Sequence, residues 1–144
     1  MNGLADTLIA IVAHVQAQLQ GLRDDETMAP IKPGGWSRKQ VLGHLIDSAA
    51  NNHQRFVRLA LYDTVDLPGY EQARWVESQS YNSRPWSELL WLWAAYNEHL
   101  AHLMETVPAD ALTHTCRLDG GDPLTLEFLM RDYVRHLEHH IRAL

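Results

Sequence analysis

The sequence contains one cysteine, Cys116, and no apolar run as long as a bilayer crossing requires. A single cysteine cannot form a disulfide within the chain, and a transmembrane helix needs about 20 consecutive apolar residues. The first ten residues also lack the basic start and the small-residue cleavage site of a signal peptide. Together these absences predict a cytoplasmic protein that does not associate with membranes.

Clustered positive charge is also missing from the sequence. The 12 lysine and arginine residues are scattered along the chain, and 18 acidic residues give a net charge of −6 at pH 7. Proteins that bind nucleic acid neutralise its phosphates with clustered basic side chains. We therefore expect no nucleic acid partner.

The length and composition are those of a small folded domain. The chain has 144 residues, of which 46% are hydrophobic and 21% are charged, as in a globular protein rather than a disordered one. No internal repeat and no linker divides the chain, so residues 1–144 are predicted to form a single domain. Nine histidines are the one compositional excess, and their positions must show whether some of them bind a metal ion.

Four stretches have the apolar spacing of amphipathic helices. They run from about Leu4 to Leu22, from Ser37 to about Leu61, from about Pro85 to Val107, and from Thr125 to about Arg142. Ser37 and Thr125 are residue types that cap helices, and Gln40 completes a capping box with Ser37. This pattern predicts an all-α fold in which the four helices form a bundle.

The segments between these helices are less regular. Residues 24–35 contain two prolines and two adjacent glycines, which predict a connection without a helix. Residues 63–84 have a weak pattern, in which Glu71–Gln79 indicates a short helical turn. Asp119-Gly120-Gly121-Asp122 lies between short apolar-alternating runs and predicts a small hairpin or turn before the last helix.

The last helix carries the clearest chemical signal, because His136 and His140 are four residues apart. Such residues differ by only about 40° in direction around a helix, so both imidazoles project from the face that also carries Leu129 and Tyr133. Two imidazoles placed in this way can reach one ion at about 2.0–2.1 Å. A third ligand would have to come from another helix.

His44 is the candidate for that third ligand. It lies at the margin of the apolar face of the second helix, beside Ser48, Asn51 and Arg55, where a core would give way to a polar pocket. Three histidines leave open coordination positions for water or substrate, as in catalytic metal sites. The spacing alone leaves the alternative open that these histidines are hydrogen-bonded packing residues without a metal.

Three segments together resemble the DinB/YfiT-like superfamily. The segment from Lys32 to Ala49, with Trp36-Ser37 and Gly43-His44-Leu45, is similar to the Trp-Ser…Gly-His-Leu segment of that family. The segment from Trp86 to Leu100 is similar to its third helix, and Tyr133-x-x-His136-x-x-x-His140 matches its closing motif. The matches occur in the family's order and extend over nearly the whole chain.

The resemblance implies a four-helix bundle with up-down-down-up topology, in a protein that is often a dimer. It also implies a divalent ion, zinc or nickel, bound by three histidines that match His44, His136 and His140. Relatives of this kind include transferases that use low-molecular-weight thiols such as bacillithiol or mycothiol, and proteins labelled as metal-dependent hydrolases. The family name refers to induction by DNA damage, a stress response, and not to DNA binding.

These observations lead to the hypothesis of a metal-dependent enzyme that acts on a small molecule. The ion would activate either water for hydrolysis or a thiol for S-transfer, and the sequence does not choose between them. Arg55, together with Asn51, is predicted to orient an anionic or polar substrate, and Tyr133 to donate to developing charge. Asp47 and Asp132 are the nearest carboxylates, and neither is a clear general base.

The alternative hypothesis is a stress protein that binds a small ligand or a metal without catalysis. A thiol is one possible small-molecule partner in either case. Trp91 points away from the apolar stripe of the third helix, and an exposed tryptophan there is typical of a contact between subunits. We therefore expect a homodimer.

Overall fold

The computed structural model describes Met1 and residues 3–144. Four long helices form an up-down-down-up bundle, with α1 and α3 each packed against both α5 and α6. The helices are α1 (Leu4–Leu19), α2 (Asp24–Met28), α3 (Arg38–Leu61), α4 (Gln72–Gln79), α5 (Trp86–Thr106) and α6 (Leu126–Ile141). The prediction of an all-α four-helix bundle is confirmed, and the core lies between α1, α3, α5 and α6.

The two capping residues behave as their types predict. The Ser37 hydroxyl accepts from the Gln40 amide at 3.1 Å, and the Gln40 side chain accepts from the Ser37 amide at 2.9 Å, which completes the capping box of α3. The Thr125 hydroxyl accepts from the Phe128 amide at 3.1 Å and caps α6. Both caps satisfy amides that would otherwise lack partners in a first helical turn. They also fix the start of the two helices that carry the candidate histidines.

The predicted hairpin is present and belongs to a small sheet. β2 (Thr115–Leu118) pairs antiparallel with β3 (Leu124–Thr125) across the Asp119–Asp122 turn. β1 (Thr64–Leu67) lies on the other side of β2 and pairs with it in parallel. The sequence pattern missed β1, since it is four residues long and its partner lies about 50 residues further along the chain.

The expectation of a helix-free connection over residues 24–35 is wrong, because α2 occupies its first part. α2 is held by contacts beyond its own turn: the Asp24 carboxylate accepts from the ammonium of fully buried Lys39 at 2.8 Å and from the Trp86 amide at 2.7 Å. These two donors hold the pKa of Asp24 below its usual value. One carboxylate thus joins α2 to the first turns of α3 and α5.

Within the described residues, no helix combines the length and apolar character that a bilayer crossing requires.

Candidate metal centre

Three histidines from two helices meet at one end of the bundle. His44 lies in the second turn of α3, and His136 and His140 lie in the last turns of α6. Ring nitrogens of all three lie within 4.8 Å of one another, and they form the one group of this kind found among the described residues. The structure therefore brings together the three residues that the sequence predicted as ligands.

The packing of α3 against α6 explains this meeting. The beginning of α3 lies beside the end of α6, so a residue near the start of one helix faces residues near the end of the other. The ring centroids of His44 and His140 are 4.7 Å apart, and those of His136 and His140 are 4.4 Å apart. Trp36, just before α3, covers the group from one side with its ring 5.4 Å from that of His44.

The surroundings of His44 fit a metal ligand better than a packing residue. Its side chain is completely buried, and within the described residues neither ring nitrogen has a hydrogen-bond partner. A buried polar atom without a partner costs about 1–3 kcal/mol, so a histidine retained only for packing would be expected to donate to a neighbour. An ion among the three rings would satisfy one of the two nitrogens.

The spacing of the nitrogens also suits an ion. Nε2 of His136 and Nε2 of His140 are 3.1 Å apart, and a tetrahedral ion with bonds of about 2.0–2.1 Å holds its ligand atoms about 3.3 Å apart. Three imidazoles fill three positions of such an ion. At least one position would remain for water or substrate, which distinguishes catalytic from structural sites.

The electrostatics of the group favour neutral imidazoles, the form that binds metal. Burial, with a smaller contribution from the adjacent His140 and His136, lowers the pKa of His44 to about 4. Burial is also the main reason that the pKa values of His136 and His140 fall below the ordinary value. At neutral pH the three rings therefore offer lone pairs to an ion rather than positive charge.

These shifts predict that the chelator-treated protein loses stability in mild acid. The pKa of His44 is lower in the folded chain than in the unfolded one, so the unfolded chain binds the proton first as the pH falls. Stability is then retained above the unfolded value of about 6.5 and declines toward the folded value near 4. For His44 alone we expect a loss on the order of 2 kcal/mol between about pH 7 and about pH 4.5.

Urea unfolding of the metal-free protein at these two pH values measures the effect. The His44→Gln variant is the control, because glutamine does not titrate and the variant should depend less on pH than the wild type. An equal pH dependence in the two proteins would contradict the prediction.

A cavity opens beside the three histidines, between α3, α6 and the small sheet. Its volume is about 190 Å³. We call it the α3–α6 cavity; it is lined by Ser48, Asn52, Arg55, Tyr70, Gln72, Leu118, Leu124, Phe128, Leu129, Asp132, Tyr133 and His136. Because His136 belongs both to the histidine group and to this lining, a molecule in the cavity would lie next to the candidate metal position.

Two of the three residues predicted to contact the substrate line the α3–α6 cavity, and the third does not. Arg55 and Tyr133 both line the α3–α6 cavity. The Tyr133 hydroxyl donates to Oδ1 of Asn97 at 2.5 Å, and burial raises the pKa of Tyr133, so the phenol stays protonated. Donation to a substrate would require this hydrogen bond to change, and the role of Tyr133 stays a prediction. Asn51 lies outside the cavity, in a neighbouring groove that Arg55 also lines.

The two nearby carboxylates also have distinct surroundings. Asp47 is buried, and its Oδ1 accepts from the Tyr81 hydroxyl at 2.6 Å and from the Gln79 amide at 2.8 Å. Asp132 lines the α3–α6 cavity and forms an ion pair with Arg135. Asp132 is therefore the carboxylate that a molecule in the cavity would meet.

Sequence reasoning missed the partners of several other histidines. Nδ1 of His53 lies 2.8 Å from the Tyr96 hydroxyl, and the His99 ring packs edge-on against His53. His114 bonds through Nδ1 to the Leu59 carbonyl and through Nε2 to Asp63. Each of these contacts joins residues that are 43 to 55 positions apart in the sequence, so no local spacing could have revealed them. His139 is exposed and lies outside the group of three.

Several proteins are similar to this chain in sequence. "Putative metal-dependent hydrolase YfiT" of Bacillus subtilis is 28% identical over 141 residues, which cover 94% of this chain and 79% of that protein. A protein of Geobacillus thermodenitrificans, also named "Putative metal-dependent hydrolase", is 28% identical over 130 residues, covering 88% of this chain and 71% of its own length.

A solved structure shares the fold. YfiT from Bacillus subtilis, described as "a probable metal-dependent hydrolase with an unusual four-helix bundle topology", superposes with a TM-score of 0.85 at 25% identity. The match covers 99% of this chain and 82% of that structure. The model of the DinB superfamily matches residues 4–144. Because this match takes in all four helices of the bundle, the chain belongs to the DinB superfamily.

Proposed function

We propose that the protein is a divalent-metal-dependent enzyme that hydrolyses a small molecule in the cytoplasm, with His44, His136 and His140 as the metal ligands. His44 carries this proposal, because its two buried nitrogens lack partners and face two further histidines beside a cavity. The names of the relatives, which refer to metal-dependent hydrolases, support the same reaction class.

A divalent ion such as zinc or nickel, when bound, lowers the pKa of a water ligand and so supplies a nucleophile at neutral pH. The chain's own residues do the rest. The α3–α6 cavity holds the substrate, and Leu118, Leu124 and Phe128 supply its apolar contacts. Asp132 accepts the proton that the attacking water loses and returns it to the leaving oxygen or nitrogen. The net change is the addition of water across one C–O or C–N bond.

The test combines metal content with turnover. Untagged protein is incubated with zinc or nickel, dialysed, and its metal content measured by plasma mass spectrometry. The loaded and chelator-treated forms are then assayed against a panel of small activated esters and amides, and in parallel against low-molecular-weight thiols paired with an electrophile. We expect about one equivalent of metal, and ester or amide hydrolysis that the chelator abolishes and added metal restores.

The other outcomes separate the alternatives. Metal-dependent consumption of a thiol together with an electrophile, without ester or amide hydrolysis, would replace hydrolysis by S-transfer. One equivalent of metal without turnover in either panel would support the non-catalytic binding protein. A wild-type protein that stays metal-free after incubation would overturn the mechanism, and the histidines would then be packing residues.

We also propose that the protein forms a homodimer. Trp91 on α5 is 69% exposed, the highest value among the large apolar side chains of the described residues. Burial of such an aromatic side chain between two subunits would remove it from water, and aromatic residues are enriched in such contacts.

A further inference from the structure

In the described part of the chain, the α3–α6 cavity is lined by one arginine that forms no ion pair, although the Asp132 carboxylate, which pairs with Arg135, lines the same cavity. Arg55 is half-buried, and within the described residues it takes part in no ion pair and no hydrogen bond. Five of the other nine arginines pair with an aspartate or glutamate, namely Arg23, Arg74, Arg84, Arg131 and Arg135. Three more, Arg38, Arg58 and Arg117, donate to carbonyl or amide oxygens. Arg55 therefore differs from a surface arginine that is held by its neighbours.

An unpaired guanidinium at this depth requires an explanation. It presents five N–H donors in a planar fork and does not lose its charge in a protein. Charged groups withdrawn from water are normally paired, because their desolvation is costly. The position of Arg55 in a cavity wall leaves its donors available to a molecule that enters from solvent.

Arg55 also shares its cavity with one of the three histidines, His136. His44 and Arg55 are eleven residues apart on α3, which corresponds to about 16.5 Å along the helix, but His136 on α6 lines the cavity together with Arg55. Side chains on a helix lean toward its N-terminus, and the N-terminal part of α3 carries His44. A small molecule in the cavity could therefore contact the Arg55 fork at one end and lie next to His136 at the other.

We propose that Arg55 binds the carboxylate of the substrate, so that the enzyme acts on small carboxylic acids whose hydrolysable bond lies a few atoms from the acid group. This inference rests on the proposed function and specifies its substrate class. A carboxylate matches the guanidinium fork with two parallel hydrogen bonds. Apolar Leu124 and Phe128 border the same space, and a single negative charge is desolvated there at less cost than the double charge of a phosphate.

The size of the cavity limits the substrate further. Its volume of about 190 Å³ is below the range of about 300–1,000 Å³ that is usual for drug-sized ligands. The remaining apolar lining suits a short hydrocarbon segment between the acid and the reactive group. Arg55 is thus a positioning residue, which holds the substrate and does not touch the reacting bond.

The experiment measures binding of hexanoate and of uncharged hexanamide by isothermal titration calorimetry. Both probes are used with the metal-loaded and the chelator-treated protein, whose metal contents are measured first. We expect hexanoate to bind the wild type at least about 10-fold more tightly than hexanamide in both forms, since hydrogen bonds to a charged group are worth about 1.5–3 kcal/mol. Arg55→Gln should abolish this preference.

Arg58→Gln is the matched control, because Arg58 is exposed and lies outside the cavity lining, three residues further along α3. It should keep the preference for hexanoate. Arg55→Lys should restore part of it, because lysine keeps the charge but loses the fork. Thermal unfolding of each variant shows whether it is folded, and a folded Arg55→Lys keeps the test valid if Arg55→Gln is not.

A preference for hexanoate that survives in folded Arg55→Gln would overturn the proposal, as would tighter binding of inorganic phosphate than of hexanoate. Hexanoate preference that occurs only in the metal-loaded form and survives in Arg55→Gln would assign the carboxylate to the ion instead of Arg55. Because the chelator-treated protein is tested as well, a wild type without metal would refute the proposed hydrolysis but would leave the test of Arg55 intact.

Discussion

Replacement of His44 by glutamine is expected to lower the affinity for zinc or nickel by at least about 100-fold, since even the outer partners of metal ligands contribute about 10–100-fold. His44 is the ligand that α3 supplies, and the two remaining histidines lie four residues apart on one helix. His136 and His140 both lie on α6, so without His44 the ion would be bound from one side only. The wild type should retain about one equivalent of metal after dialysis, and the variant much less than one.

A fluorescence titration gives a second measurement of the same loss. The Trp36 ring lies 5.4 Å from the His44 ring, so a paramagnetic ion such as Ni²⁺ at the histidine group should quench its emission. The quenching should be present in the wild type, weaker in Trp36→Phe, and absent in His44→Gln at the same nickel concentration.

His139→Gln is the matched control, because it removes an exposed imidazole next to His140 that lies outside the group of three. This variant should bind metal as the wild type does. Metal retained by His44→Gln would show that the ion is held by α6 alone and that His44 is a packing residue. Metal lost equally by His139→Gln would contradict the assignment of the ligands to the group of three.

The sequence predicts those parts of the site that depend on residues close together in the chain, and it predicts less of the parts that depend on contacts between helices. His136 and His140 follow from one helix period, and the two caps at Ser37 and Thr125 follow from residue type. His44 needed a family resemblance in addition, because nothing in its own helix shows that α6 packs beside it. The absence of a partner for Arg55 is a property of the whole fold, and no spacing in the sequence reveals it.

The elements of the fold also differ in how far the sequence predicts them. The long helices were predicted because their apolar spacing extends over several turns. α2 was missed because its five residues lie in a segment with two prolines and are held by the distant Lys39 and Trp86. β1 was missed because its partner strand is far away in sequence. Short elements that depend on tertiary contacts carry too little local pattern to be predicted.

Gly43→Ala is expected to destabilise the protein by about 2–3 kcal/mol, the upper part of the range for overpacked sites. Gly43 lies on α3 next to His44, and the Tyr81 ring packs directly on its Cα. A Cβ at this position would lie 2.1 Å from Cδ2 of Tyr81 and 2.4 Å from two further ring atoms. Carbon atoms in contact are normally about 3.5–4.0 Å apart, so the ring or the helix would have to move.

A shift of the Tyr81 ring or of α3 would each cost further stability. The Tyr81 ring is buried, and its hydroxyl donates to Asp47 at 2.6 Å. A displaced ring would break this hydrogen bond and leave the buried Asp47 carboxylate with fewer donors. A displaced α3 would move His44 away from α6. The close approach of Tyr81 to Gly43 therefore also sets the position of the candidate metal ligand.

Intrinsic helix propensity makes the opposite prediction, which gives the experiment a clear sign. Alanine is favoured over glycine within a helix by about 1 kcal/mol, so Gly43→Ala would stabilise the protein if Tyr81 did not pack there. Urea unfolding of the wild type and Gly43→Ala measures the difference. Gly21→Ala is the control, because a Cβ at Gly21 meets nothing within 4 Å, and its free energy of unfolding should stay close to that of the wild type.

A double-mutant cycle assigns the effect to the ring. Tyr81→Ala removes the atoms that the new Cβ would meet, so Gly43→Ala should cost little or become stabilising in that background, although Tyr81→Ala is itself destabilising. A coupling free energy of about 2 kcal/mol or more is expected, since residues in direct contact do not behave additively. Additive effects, or a Gly43→Ala variant as stable as the wild type, would contradict the packing of Tyr81 against α3 and with it the stated reason for the position of His44.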